Sequence, residues 1–368
     1  MSDNGVIRAG VVGLGWAGQQ HMAALHAAEG VELVAVAGKE ADARATLAEQ
    51  YDVATYEDWE ELVARGDLDV VSVAVPTYLH APISIGALRA GAHVLCEKPI
   101  ARTAAEGQAM VEAARDAGRV LEITFNHRRR GDIEAVRAAV DDGTIGRPYH
   151  ARAMWLRRAG IPALGSWFTN AEMAGGGPLV DLGVHVLDWT LHLMDEPRVT
   201  TVSAVTHAEL GPRGLGGSGD VKHGTGSAYE VEDLATVLLR LEGGGSVVLE
   251  TSWATHRATP DEFGITLYGT EGGADLSVVD YAPAGELTIF SGHGSEQLDT
   301  PVTAQAGRGH VAVVDTFLEH VRDPHTWAEH DGTVGLSRAK IVDAAYASAA
   351  AGREVSLDEN LDIVGGAA

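Results

Sequence analysis

Val6-Ile7-Arg8-Ala9-Gly10-Val11-Val12-Gly13-Leu14-Gly15-Trp16-Ala17-Gly18 runs a short apolar stretch straight into a turn punctuated by three glycines. The residues that follow, through Ala28, read as a helix. A G-x-G-x-x-G turn between a strand and a helix has a mechanical meaning. Gly13 allows the tight turn, Gly15 lets the backbone approach a pyrophosphate, and Gly18 lets helix and strand pack closely. The helix N-terminus then offers free N–H groups and a favourable dipole to phosphates. Gly13, Gly15, Trp16, Ala17 and Gly18 are therefore the expected cradle of a dinucleotide.

Working outward, Glu32–Ala37 is a second strand that ends at Gly38-Lys39-Glu40. Such a strand normally ends in an acidic residue that grips the adenosine ribose. Here a glycine and a lysine stand at the tip, so Gly38 and Lys39 favour NADP over NAD, with Glu40 or Asp42 as the groups that would reach the ribose of NAD. Helices over 39–50 and 57–64 alternate with strands near 53–55 and 69–75. Pro76-Thr77-Tyr78-Leu79-His80 follows as a strand-tip loop, with Pro76, Thr77 and His80 as candidate cofactor contacts. Another helix reaches Gly91. Val94-Leu95-Cys96-Glu97-Lys98-Pro99 is then a buried strand stopped by a charged pair and a proline. A helix over 103–117 and a strand over 119–125 complete the series. Strands alternating with helices imply a parallel, doubly wound sheet.

Ligands of such sheets bind outside the carboxyl ends of the strands. Glu97 and Lys98 stand at such an end, where Lys98 can meet both a cofactor and a substrate. A structural ion pair at Glu97 is the competing explanation.

The bulk properties limit the alternatives. A chain of 368 residues suits two domains, residues 1–126 and 127–368. A net charge of −25 works against nucleic acid and anionic membrane as partners. The single cysteine, Cys96, precludes an internal disulfide and reads as a small buried hydrophobe. With no signal-like start and no apolar run of membrane length, a cytoplasmic location is expected.

The second part carries Asp132–Val140 as a helix, an extended segment over 147–158, and then Arg157 and Trp167 as candidate substrate contacts. Gly175-Gly176-Gly177 precedes a helix over 179–194. Asp181 and His185 are four residues apart and share a face. An imidazole exchanges protons near neutral pH, and a neighbouring carboxylate can orient it. Asp188 and His192 extend the stripe, but four ligands along three turns do not converge on one ion, so no metal is expected. Gly211–Gly226 reads as a glycine-dense insertion between strands. Segments 198–209, 231–241, 246–253 and 263–268 suggest a broad, mostly antiparallel sheet. Helices over 311–321 and 336–350 close the chain.

With these motifs in hand, the chain resembles the Gfo/Idh/MocA oxidoreductases: glucose–fructose oxidoreductase, inositol dehydrogenase and their relatives. The resemblance rests on Gly13–Gly18, Val75–His80, Glu97-Lys98-Pro99, Phe125–Arg129 and Gly175–His185. It departs at Thr77, where an asparagine commonly follows the proline. It implies an N-terminal Rossmann domain and a C-terminal α+β domain with a large open sheet, its last helix packing back near the first domain. It further implies hydride transfer between a nicotinamide and a sugar, polyol or related ring, by a homo-oligomer, dimer or tetramer, joined through that sheet. Lys98, His185 and Asp181 are then the expected catalytic residues, and also substrate contacts. A non-catalytic nucleotide-binding regulator and a glycoside-cleaving enzyme using transient oxidation are the competing functions.

Overall fold

The computed structural model describes residues 5–217, 229–292 and 294–364. The chain divides into two compact units: residues 1–126 with 309–339, and residues 127–308 with 340–368. The single stretch 127–368 expected for the second domain is thus interrupted. The chain returns to the first unit for thirty-one residues, and a helix beginning at Thr333 is divided between the two.

The first unit alternates β1 (Ile7–Val12), α1 (Trp16–Ala27), β2 (Val31–Ala37), α2 (Ala41–Tyr51), β3 (Ala54–Tyr56), α3 (Trp59–Val63), β4 (Val70–Val73), α4 (His80–Arg89), β5 (His93–Glu97), α5 (Ala104–Ala117) and β6 (Leu121–Thr124). The six strands are parallel in the order β3-β2-β1-β4-β5-β6. Strand order reverses between β1 and β4, so the Gly13 turn lies at the switch point where such sheets take their ligands. The central strands are short and β-branched because both faces are covered: Val70, Val71 and Val73 are all buried.

The second unit contains α6 (Gly131–Asp141), β7 (Pro148–Arg157), α7 (Ala171–Ala174), a π-helical turn (Leu179–Gly183) running into α8 (Val184–Leu193), β8 (Val199–His207), β9 (Leu234–Leu241), β10 (Ser246–Ser252), β11 (Asp261–Gly269), β12 (Gly272–Val279), β13 (Glu286–Ser291) and β14 (Leu298–Val302). The chain then gives α9 (Gly309–Arg322) to the first unit, continues through α10 (Thr333–Ala351), and ends with β15 (Val355–Leu357) and β16 (Ile363–Val364). Ten strands form one sheet, β14-β13-β12-β11-β7-β10-β9-β8-β15-β16, antiparallel except where β10 meets β7. Strands β12 to β16 carried too little alternation, or too many glycines and prolines, to be expected from sequence. The glycine-dense insertion lies largely outside the described residues. Residues 211–213 form a short helical turn, and three backbone N–H groups, of Glu209, Leu210 and Gly211, donate to the Asp233 carboxylate at 2.6–2.9 Å.

In the first unit, α9 lays Val313, Val314, Phe317, Leu318 and Val321 into the core that also holds Met22 and Leu25 of α1. His93 opens β5, buried, its Nδ1 accepting the Val120 N–H at 3.0 Å. Burial, followed by the charge of Arg119, takes its pKa down to about 4. The unfolded chain binds that proton near pH 6.5 and the folded chain does not. Stability from this group is therefore complete above pH 6.5 and falls as pH drops towards 4. The full loss is about 3 kcal/mol. Urea unfolding at pH 7 and pH 4 should give His93→Asn, whose amide oxygen can replace Nδ1 as acceptor, a smaller acid loss than wild type by that amount. Equal losses would place the acid sensitivity elsewhere.

Candidate functional site

In the first unit, the glycine turn has the shape of a ligand cradle. Gly13 has φ +108°, and a Cβ there would lie 1.9 Å from the Ala74 carbonyl oxygen. A Cβ on Gly18 would lie 1.9 Å from the Gly13 carbonyl oxygen. At Gly15 a Cβ would meet nothing within 4 Å. Two glycines are thus required by packing, while the middle one leaves open space at the N-cap of α1, whose first N–H groups have no side-chain cap. This arrangement fits a pyrophosphate. Trp16, 69% exposed, stands on the first turn.

At the tip of β2, Lys39 is drawn to Asp58 and lies 3.9 Å from Glu57. The hydrogen bond to Asp58 raises its pKa. Glu40 turns its carboxylate back, one oxygen 3.3 Å from where a Gly38 Cβ would sit. Arg44, which the sequence pattern did not single out, donates to the Gly38 carbonyl at 2.6 Å.

The loop after β4 does not present all the expected groups outward. Thr77 is buried, and His80 is buried with its ring nitrogens 2.8 Å from the Pro99 carbonyl and 2.9 Å from that of Val75. Burial lowers the His80 pKa against the pull of those two carbonyls. His80 therefore ties the Pro76 loop to the Lys98-Pro99 loop. The helical turn that starts at Thr77 rotates the ring inward.

Glu97 is likewise buried. Its Oε1 lies 3.0 Å from His21 Nε2 and 3.3 Å from His310 Nε2, and its Oε2 accepts the Lys98 backbone N–H at 3.2 Å. His21 Nδ1 is 2.5 Å from the Ser72 hydroxyl. Burial alone would raise the Glu97 pKa; the two imidazoles outweigh it and hold the carboxylate well below its ordinary range.

In the second unit, close backbone approach explains the glycine run. A Cβ on Gly176 would lie 2.0 Å from the Tyr346 hydroxyl, and one on Gly177 would lie 2.2 Å from the Glu232 carbonyl. The buried Glu232 carboxylate accepts the N–H groups of Gly177 and Leu179, each at 3.0 Å, and the Tyr346 hydroxyl at 2.9 Å. It thereby anchors the start of the segment carrying Asp181 and His185. That segment begins as a π-helical turn, a local widening that is frequent at functional sites. A uniform α-helix over 179–194 was expected. The wider turn still keeps residues four apart on neighbouring positions of one face.

Asp181 accepts the Trp253 indole N–H at 2.9 Å. His185 is buried, its ring centroid 4.5 Å from that of His127 and 5.8 Å from that of Trp155. Asp188 and His192 part company with them. Asp188 is held by Arg128 at 2.6 and 2.5 Å, and His192 Nδ1 lies 3.4 Å from the same guanidinium. Burial and then that positive charge push His192 down to about 4.

Arg157 donates to Asp261 at 2.9 Å and to the Tyr281 hydroxyl, with its guanidinium 5.4 Å from the centre of the Trp155 ring. Burial works against its charge, and the carboxylates of Asp181 and Asp261 help to outweigh it and raise its pKa. Trp167 stacks on Phe168 at 3.8 Å, and Phe168 meets Trp253 edge-on at 6.5 Å. An aromatic path thus runs from the Trp167 loop to the indole that holds Asp181.

Among the described residues, two groups bring three potential metal donors within 4.8 Å of one another: His21, Glu97 and His310, and Glu122, His320 and His330. Hydrogen bonding accounts for the first. In the second, His320 bonds Glu122 at 2.9 Å and stacks on His330 at 3.4 Å.

Comparison with known proteins gives two family matches. Residues 7–125 match the oxidoreductase family model with an NAD-binding Rossmann fold, and residues 133–275 match the GFO/IDH/MocA C-terminal domain. The chain is 32% identical to D-glucoside 3-dehydrogenase of Escherichia coli K12, over 95% of this chain and 97% of that protein. It is 30% identical to levoglucosan dehydrogenase of Pseudarthrobacter phenanthrenivorans, over 78% and 72%. A solved levoglucosan dehydrogenase in complex with NADH has the same fold, with a TM-score of 0.80 at 24% identity, over 95% of this chain and 98% of that one. No described helix is long and apolar enough to cross a membrane.

Proposed function

The chain belongs to the GFO/IDH/MocA family of oxidoreductases, and on that footing we propose that it is an NAD-dependent dehydrogenase of a hydroxyl on a glucoside or a similar sugar ring. The open backbone at Gly15, between two glycines fixed by packing, is the observation that carries the cofactor part. The likeness to a D-glucoside 3-dehydrogenase supports the substrate class.

The Gly13–Gly18 turn and the N-terminus of α1 would hold the pyrophosphate, and the tip of β2 the adenosine ribose. Lys39 in the sequence favours NADP. Its engagement with Asp58 and Glu57, and the Glu40 carboxylate folded over Gly38, favour a ribose diol over a phosphate. A bound nicotinamide supplies the hydride acceptor, or the donor in reverse. His185 takes the proton from the reacting hydroxyl and returns it in the reverse direction. Lys98 donates a hydrogen bond to the same oxygen and stabilises alkoxide character as it develops. Asp181, fixed by Trp253, orients the imidazole or accepts from an adjacent hydroxyl. Arg157 and Trp167 contact the rest of the ring.

Two copies pair through the outward face of the ten-stranded sheet. Along β7, β9 and β10 that face carries Met154, Leu156, Leu234, Leu238 and Val248, interleaved with His150, Arg152, Thr236, Arg240, Ser246 and Glu250. Leu238 is 36% exposed.

Fluorescence titration should show NADH binding at least about tenfold tighter than NADPH, a difference near 1.4 kcal/mol. Glucosides, anhydrosugars and inositols are then offered with the oxidised cofactor while nicotinamide absorbance is followed. Light scattering on the same sample should give a multiple of 38.5 kDa. A preference for NADPH would return the ribose end to Lys39 and Arg44. Failure of every ring alcohol to reduce the cofactor would overturn the dehydrogenase assignment.

A further inference from the structure

We infer that Glu97, clamped between His21 and His310, is a positioning residue for Lys98, and that His310 joins this clamp to the nucleotide turn. The inference rests on Lys98 meeting the reacting oxygen, as proposed above.

Glu97 is ionised, so both imidazole Nε2 atoms donate to its Oε1, at 3.0 Å from His21 and 3.3 Å from His310. The other ring nitrogen, His21 Nδ1, is hydrogen-bonded to the Ser72 hydroxyl at 2.5 Å. The other carboxylate oxygen accepts the N–H of Lys98 itself, at 3.2 Å. The residue next to the lysine is therefore held from two sides, and its second oxygen is committed to the lysine's own backbone. A buried carboxylate with charge-assisted bonds to three donors has little freedom to reorient. Pro99 adds a tie from the other direction, through its carbonyl and His80.

His310 has a second contact. Its ring meets Trp16 edge-to-face at 5.2 Å, and Trp16 is the first residue of α1, directly after Gly15. His310 is 10% exposed at its side chain. One imidazole thus touches the turn that cradles the pyrophosphate and the carboxylate that holds the lysine. Its place at the start of α9, in the segment returning to this unit, explains why no local motif marks it.

Glutamine is not a silent replacement at residue 97. Its amide has one oxygen for three donors, and its NH2 group must face either an imidazole N–H or the Lys98 N–H. Glu97→Gln should therefore release the loop. We expect kcat to fall about tenfold to a hundredfold, the range for a misplaced but present catalytic group. The NADH dissociation constant should stay within about threefold, because the glycine turn is untouched. His310→Leu removes one clamp donor and should lower kcat, whereas His310→Gln keeps an N–H and should recover most of it. All rates are taken well below each variant's melting temperature, so that a loss of folded protein does not enter.

Three outcomes separate the possibilities. Lowered kcat at nearly constant NADH affinity, with recovery in His310→Gln, supports the clamp. Wild-type kcat in both Glu97→Gln and His310→Leu, while Lys98→Met is inactive, overturns the clamp and leaves the function of Lys98 standing. Full turnover in Lys98→Met overturns both.

Discussion

Lys98→Met lowers turnover by about 10² to 10³-fold, the usual cost of losing one donor aimed at developing negative charge. Methionine keeps an unbranched stem of similar length and loses only the ammonium. The NADH dissociation constant is expected to change by less than about threefold, since the groups proposed to hold the pyrophosphate are backbone N–H groups of the Gly13–Gly18 turn. The backbone around residue 98 should not move either. Its N–H still has the Glu97 carboxylate to donate to, and that carboxylate is fixed by two histidines. The effect should therefore fall on kcat with the cofactor bound, measured by steady-state rates beside a binding titration. Loss of cofactor binding in step with turnover would make Lys98 a cofactor ligand instead of a group that acts on the alcohol.

His185→Asn should cost about 10² to 10⁴-fold, the range for a positioned general base. Asparagine approximates the ring's hydrogen bonding and cannot take a proton. The surroundings of His185 should tolerate the change. It lies among His127, Trp155 and Trp189, packed in the core of the second unit, and Glu232 holds the start of its segment independently of the ring. The sharper readout is the pH profile of kcat/KM. In the wild-type enzyme the rate of alcohol oxidation should rise with pH as the imidazole loses its proton, and His185→Asn should flatten that limb. A limb of unchanged midpoint in the variant would assign the base to another group, and Lys98 would be the first candidate.

The first unit was largely legible because each local signal there has one mechanical meaning. A strand, three glycines at fixed spacing and a helix can hardly be arranged otherwise, and the structure gives Gly13 and Gly18 a packing reason and leaves open space at Gly15. The substrate segment was legible in part. Gly175–Gly177, Asp181 and His185 stood out, but Asp188 and His192 at the same spacing did not belong with them. Helical periodicity reports which residues share a face; it does not report that Arg128, sixty residues earlier, stands at one end of that face. Glu232 and Asp233 gave a usable signal that the pattern alone did not interpret. Two acids opening an otherwise apolar strand are costly unless backbone N–H groups meet them, and here both are met. The inward ties of His80 and Glu97 were not legible, because strand-tip position does not say which way a side chain turns. His310 was out of reach, since it joins Glu97 only through a long-range return of the chain.

That return bears on how the protein is made. The first 126 residues emerge from the ribosome as a nearly complete domain that lacks α9, the helix placing Val313, Phe317 and Leu318 in its core. The 182 residues from 127 to 308 must be synthesised before that helix exists. At bacterial or eukaryotic elongation rates this is roughly 10 to 40 s. Throughout that interval the nascent chain presents an apolar groove on α1 beside Met22 and Leu25, a surface that chaperones recognise and that proteases reach. Release of a chain cut short anywhere before residue 309 leaves that groove permanently open, so premature termination yields aggregation-prone fragments in place of a usable nucleotide-binding domain.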